Sequence, residues 1–264
     1  MSTPPVPANK PHRGIYLLPN LFTTGAMFAG FYAIIAAIGG HFSDAAIAVF
    51  VAGILDGLDG RIARLTNTQS EFGVQYDSLS DMVSFGVAPA LVMYTWTLKS
   101  LQDFGPFWGK FGWCAAFLYT ACAALRLARF NTQVGMADKR YFQGLASPAA
   151  AGLAMSFVWA ATEHAFDQRL IQILAPVISI VAGLLMVSRV RYYSFKAWPL
   201  SDRVPFFWIP LVVLILIALA MEPSGVLLAI AASYVLSGPA LTLWGLRLRR
   251  EKRDSTRAEE RVEK

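Results

Sequence analysis

The sequence predicts an all-α integral membrane protein, a bundle of about eight transmembrane helices, and three observations predict it. Of 264 residues, 56% are apolar and only 15% charged, with a mean hydropathy of +0.48; a water-soluble chain has about 45–50% and about 25%. The apolar residues gather in segments at about 20–39, 43–63, 73–98, 107–128, 146–163, 170–188, 206–221 and 224–246, most of them close to the ~20 residues that one bilayer crossing takes. The basic residues are sorted by side. With the N-terminus in the cytoplasm, all 23 Lys and Arg except Lys99, Lys110 and Arg169 fall at the cytoplasmic ends, as the positive-inside rule requires. An ordinary soluble domain and a disordered chain are both excluded.

The elements follow in order. Residues 1–19 are short, polar and Pro-rich with no small-residue cleavage site after them, which predicts a retained cytoplasmic arm. The apolar segments are helices, because a lipid-exposed segment must satisfy its own backbone hydrogen bonds, and the alternating pattern of a barrel strand is missing. Residues 20–205 hold six spans, 206–246 two more, and 247–264 is a basic cytoplasmic tail. Both termini are therefore cytoplasmic, in the cytoplasmic (inner) membrane. The weakest break is the turn Met221-Glu222-Pro223-Ser224. The tail reads as a solvated anchor at the lipid surface, with no nucleic-acid partner. Cys114 and Cys122 lie inside an apolar stretch and read as buried packing without a disulfide. His12, His41 and His164 sit away from the carboxylates described next, and Asp44, Glu163 and Asp167 read as solvated external-loop residues.

Residues 56–81, DGLDGRIARLTNTQSEFGVQYDSLSD, place Asp56, Asp59, Asp77 and Asp81 near the cytoplasmic ends of the second and third spans. An ionised Asp at a helix centre costs ~2.5–3.5 kcal/mol on insertion scales, and such groups are functional by default. Asp56 and Asp59 are spaced i,i+3, and Gly73, Asp77 and Asp81 step by four, so each set shares one helix face. Antiparallel neighbours then bring two carboxylate pairs together. Oxygen ligands without His or Cys suit Mg²⁺, Mn²⁺ or Ca²⁺, and four carboxylates suffice for two ions, an arrangement suited to displacement at phosphorus. Gly57, Gly60, Ala63 and Gly73 either clear that face for a ligand or pack helices closely.

The same stretch reads D-G-x-D-G-x2-A-R-x8-G-x3-D-x3-D, carried by Asp56, Gly57, Asp59, Gly60, Ala63, Arg64, Gly73, Asp77 and Asp81. It resembles the signature of the CDP-alcohol phosphatidyltransferases. The resemblance implies a six-helix catalytic core, with Asp56, Asp59 and Asp77 binding two divalent ions and Asp81 serving as both ligand and general base. It implies cytidine-diphosphate contacts from Gly57, Gly60, Ala63, Arg64 and Gly73. Leu18-Pro19-Asn20-Leu21-Phe22-Thr23 resembles the start of the family's first span, where Asn20 and Thr23 would lie near the nucleotide.

Three further segments resemble the bacterial integral-membrane phosphatidylserine synthases: Leu127-Ala128-Arg129-Phe130-Asn131, Phe142-Gln143-Gly144-Leu145-Ala146-Ser147-Pro148, and Val187-Ser188 with Tyr193-Ser194-Phe195-Lys196. Ala146 stands where family members often have Pro. The resemblance implies an enzyme using CDP-diacylglycerol and L-serine, with membrane lipids around it and a homodimer as a common family state. Serine's carboxylate needs a cation, and Arg126 and Arg129, one turn apart, are candidates to bind it bidentately or to snorkel to headgroups. Asn131 is a helix C-cap or a substrate donor. Arg189, Arg191 and Lys196 read as a positive-inside cluster in which Arg189 or Lys196 could bind phosphate. Glycerol 3-phosphate, inositol phosphate or choline are alternative acceptors, and a divalent-cation transporter is a more distant alternative.

Overall fold

Each apolar segment folds as a helix in the computed structural model, which describes residues 17–66, 68, 70–132, 141–193 and 208–262. The helices are α1 (Leu17–Ile38), α2 (Phe42–Leu65), α3 (Glu71–Asp81), α4 (Ala88–Trp96), α5 (Pro106–Thr132), α6 (Ser147–Glu163), α7 (Gln168–Val187), α8 (Trp208–Met221) and α9 (Pro223–Val262). Between α3 and α4 lies a π-helical stretch, Met82–Val87, and a 3₁₀ turn, Leu98–Phe104, precedes α5. Two short strands, β1 (Tyr141–Gln143) and β2 (Arg191–Tyr193), pair antiparallel, with Phe142 opposite Tyr192. By length and composition α1, α5, α7 and the 223–242 part of α9 are long and apolar enough to cross a membrane. The others fall short for visible reasons: α2 carries Asp44, Asp56, Asp59, Arg61 and Arg64, α6 has 17 residues, α8 has 14, and the third segment is interrupted.

Helix α1 packs along α2 through small residues, Ala29, Ala33, Ala36 and Ala37 on one side and Ala45, Ala46, Ala48 and Ala52 on the other, all buried. Small side chains let apolar helices approach closely where lipid removes the hydrophobic drive. Gly30 shows how close. A Cβ there would lie 2.7 Å from the Ser84 backbone, and the Ser84 hydroxyl donates to Ala26 O at 3.1 Å. Ser80, one turn earlier, donates to Thr23 O at 3.0 Å. Two serines thus lace α3 and the π stretch to α1.

The third span is not the single regular helix that residues 73–98 predict. At the π stretch the Ala88 N–H reaches Val83 O, an i−5 bond, and Pro89 has no N–H for Phe85 O, four residues back. The buried Tyr119 hydroxyl of α5 donates to Phe85 O at 3.1 Å instead. A related device recurs in α9, where Pro239 leaves Val235 O free and the Tyr192 hydroxyl donates to it at 3.1 Å.

Three expectations are corrected. Cys114 is exposed while Cys122 is buried, both as free thiols; eight residues apart on a helix, they point roughly 80° away from each other. The tail does not begin at an element boundary, since α9 runs unbroken through residue 246 to Val262. Glu163 is not merely solvated: it closes α6 and accepts from Trp159 Nε1 at 2.7 Å. The break after α8 falls at Glu222, whose carboxylate accepts from Ser224 Oγ at 2.7 Å and the Gly225 N–H at 2.9 Å. It acts as the N-cap of α9, with Pro223 at the first helical position.

Candidate active site

The site lies at the end of the bundle where α1 begins, α2 ends, α3 begins, α5 ends, α6 begins and α7 ends. Ser70 starts α3 there, its hydroxyl accepting from the Gly73 N–H at 3.0 Å. The i,i+3 and i,i+4 spacings act as predicted. One carboxylate oxygen each from Asp56, Asp59 and Asp77 lie within 4.8 Å of one another. Asp81, one turn deeper on α3, is outside that triplet but faces the Asp56 carboxylate. Asp59 is buried, and Thr23 Oγ1 donates to its Oδ2 at 2.6 Å. Thr23 is also 3.1 Å from Pro19 O, but its single proton goes to the shorter bond with the anion.

The donor set fits a hard divalent cation. Oδ1 of Asp77 and Oδ1 of Asp81 are buried with no hydrogen-bond partner in the protein, and a buried carboxylate oxygen without a partner is costly unless a cation meets it. Among the described residues the ion pair within 4.0 Å is His164–Glu222, at the opposite end of the bundle, so no Lys or Arg neutralises the aspartates at close range. All the candidate ligands are oxygens, the set that Mg²⁺, Mn²⁺ and Ca²⁺ prefer.

Gly57 and Gly60 face open space, a Cβ at either meeting nothing within 4 Å. Close helix packing is therefore not their role, and clearance beside the carboxylates remains. At Gly73 a Cβ would approach Ser70 Oγ to 3.2 Å and Asn20 Oδ1 to 3.6 Å, so Asn20 reaches this rim, while Ala63 is half-buried and Arg64 donates from Nε to Gly60 O at 2.8 Å.

The basic residues divide. Arg126 turns inward: Nη1 donates to the buried Ser147 hydroxyl at 2.7 Å, and its charge acts on Asp81. Arg129 is spent on backbone, donating from Nη1 to Val187 O at 3.0 Å and from Nη2 to Gln143 O at 2.8 Å, a cation at the carbonyl end of α7. Gly144 beside it needs to be glycine, with φ +84° and a Cβ that would lie 2.4 Å from Met186 O. Asn131 lies inside α5 rather than capping it, and its Nδ2 donates to Ser78 Oγ at 3.0 Å. Arg189 is exposed in the turn between α7 and β2. Lys196 lies outside the described residues.

The sequence profile of the CDP-alcohol phosphatidyltransferases matches residues 16–188. The chain belongs to that family. Among its relatives, the CDP-diacylglycerol–serine O-phosphatidyltransferase of Helicobacter pylori is 40% identical over 186 residues, covering 70% of this chain and 76% of the relative. The enzyme of the same name from Methanocaldococcus jannaschii is 35% identical over 54% of this chain and 61% of its own. The archaetidylserine synthase of Methanothermobacter thermautotrophicus is 33% identical over 66% of this chain and 69% of its own. Membership accounts for the nine fixed motif positions meeting at one end of the bundle.

Sequence reasoning missed Ser147 as the partner of Arg126, Ser80 and Ser84 as the lacing to α1, and Tyr76, whose hydroxyl pairs with Thr24 at 2.9 Å. Only the i,i+4 spacing of Ser80 and Ser84, continuing the Asp77 stripe's helix into the membrane, carried a signal.

Proposed function

We propose that this chain transfers the phosphatidyl group of CDP-diacylglycerol to L-serine, giving phosphatidylserine and CMP, at the cytoplasmic face of the inner membrane. The observation that carries the reading is the carboxylate group on α2 and α3, with its two buried, unpartnered oxygens, inside a chain whose relatives bear that enzyme's name. Asp56, Asp59 and Asp77, with Asp81, would hold two divalent ions, Mg²⁺ or Mn²⁺, whose chemistry is to neutralise the diphosphate and improve CMP as a leaving group. Thr23 holds Asp59 in orientation. Gly57 and Gly60 leave room for the nucleotide, with Asn20, Ala63, Arg64 and Gly73 around it.

Asp81 takes the proton from the serine hydroxyl. The resulting oxygen bonds to the phosphorus that carries diacylglycerol, and the bond from that phosphorus to the CMP oxygen breaks. Arg126 binds the serine carboxylate, being the inward arginine with donors to spare; Arg129 holds the loop that presents Ser147. Residues 20–205 form the catalytic unit in this reading.

The experiment is a labelled-serine assay on purified protein with CDP-diacylglycerol. Phosphatidylserine and CMP should appear together, stop with chelator and resume with Mg²⁺ or Mn²⁺. Product formed from glycerol 3-phosphate, inositol phosphate or choline, and not from serine, would overturn the acceptor. Cation flux without CMP release would overturn the enzyme reading altogether.

A further inference from the structure

We infer that the cavity between α2 and α6 seats the upper part of one acyl chain of the donor lipid, in a slot that Gly53 and Gly152 keep open. The inference rests on CDP-diacylglycerol as the donor and is independent of the acceptor. Helices α2 and α6 pack on one another, and the gap they leave measures about 220 Å³. Its walls are Phe50, Gly53 and Ile54 of α2, Phe85 of the π stretch, and Pro148 and Gly152 of α6. None of these carries a polar side chain. Protein interiors leave few gaps larger than a water, and an apolar gap stays dry and takes apolar ligands. Ile54 and Pro148, at its edge, are exposed, so a chain can enter from the lipid.

Helix packing does not require these two glycines. At Gly30, in the α1 contact, a Cβ would lie 2.7 Å from the Ser84 backbone. At Gly53 it would sit 3.7 Å from the Phe85 ring, and at Gly152 3.9 Å from the Phe50 ring, both ordinary contacts. A methyl fits at either position, and what a longer side chain would fill is the cavity itself. Position names the occupant. Gly53, Gly57 and Gly60 step by four and three along one face of α2, so the clearance beside the carboxylates continues into the cavity. Asp56 lies three residues from Gly53, Phe85 four residues beyond Asp81, and Pro148 next to Ser147, the partner of Arg126. From Ile54 to Phe50, and from Pro148 to Gly152, the walls run about 6 Å deeper into the bundle, room for the first few methylenes of a chain. The phosphorus that is transferred carries diacylglycerol, whose chains therefore begin within reach of Asp56. A bulk lipid has no group that would hold its glycerol there.

The test is photolabelling of the wild type by CDP-diacylglycerol that carries a diazirine on the acyl carbons nearest the ester. Label should fall on residues 49–54 and 148–152, disappear with excess CDP-dioleoylglycerol, and survive the same excess of phosphatidylcholine. Gly152→Leu, which fills the slot, is the second arm. Its KM for CDP-dioleoylglycerol should rise roughly three- to tenfold, a modest change because lipid solvates the displaced chain and only packing contacts are lost. Its CMP affinity, serine KM and thermal midpoint should stay as in the wild type. Label on other helices, label that phosphatidylcholine removes equally well, or an unchanged donor KM in a stable Gly152→Leu would overturn the inference; if that variant melts early, the labelling alone decides. The transferase reading is checked separately, by CMP release in the wild type. If CMP is not released while competed label still falls in the slot, that reading fails and the lipid seat stands.

Discussion

Asp81 and Asp77 each bury one carboxylate oxygen that nothing in the protein meets, yet the two should answer differently to substitution. Asp81, deeper and outside the close triplet, is assigned the proton. Asp81→Asn keeps the shape and removes the basicity, so CMP binding should persist while turnover falls at least ~100-fold, the lower range for a lost general base. Equilibrium nucleotide binding beside an initial-rate assay checks it. Thr23 is a gentler case. Its hydroxyl orients Asp59 from 36 residues away along the chain, and losing such an orienting partner costs about 10–100-fold in metal affinity. Thr23→Val should therefore shift the Mn²⁺ activation midpoint upward by that factor while saturating Mn²⁺ restores most of the rate. An unshifted midpoint would remove Thr23 from the site.

At the scale of elements, the informative feature is the interruption of the third span directly after Asp81. The π stretch adds a residue to the turn and Pro89 removes a donor, directly between the α3 carboxylates and the buried start of α4. Such bulges are common at functional sites. This one stands because Tyr119 covers the carbonyl that Pro89 abandons. Tyr119→Phe strands Phe85 O in an apolar interior, which should cost about 1–3 kcal/mol and lower the thermal midpoint in detergent. Activity should fall with it, since the π stretch begins directly after Asp81. Normal stability in Tyr119→Phe would mean that the carbonyl has another donor.

For the whole molecule, the two ends of the bundle carry different chemistry. One gathers the aspartates, Arg126 and Arg129; the other joins the α6–α7 turn to the α8–α9 turn by His164 and Glu222 at 2.8 Å. Bonds from Ser224, Gly225 and His164 hold the Glu222 carboxyl at about 2, below its ordinary 4.5. A depressed acid stabilises the fold above its unfolded pKa and loses that contribution as pH falls through the folded one. Glu222→Gln should thus melt earlier than the wild type at neutral pH, with the difference shrinking between pH 4.5 and about 2, while the serine KM stays the same. Thermal scans across that range check both the sign and the window.

The sequence by itself determined the class of the protein, the helical segments, the end of the bundle that carries the chemistry, and the faces on which Asp56, Asp59, Asp77 and Asp81 lie. All of these follow from local composition or helical period, which a chain carries in its residue order. Tertiary structure decided what depends on distant partners. Arg126 and Arg129 are equivalent in spacing, and only Ser147 on one side and the carbonyls of Gln143 and Val187 on the other assign one inward and the other to the scaffold. The π stretch looked like ordinary apolar helix because its support, Tyr119, lies 34 residues away. Cys114 and Cys122 shared a stretch but not a face, and the contact of Tyr192 with α9 at Gly238 joins residues 46 apart in the chain. Periodicity tells which residues share a side of one helix; which helix stands opposite is settled by packing among segments far apart in the chain.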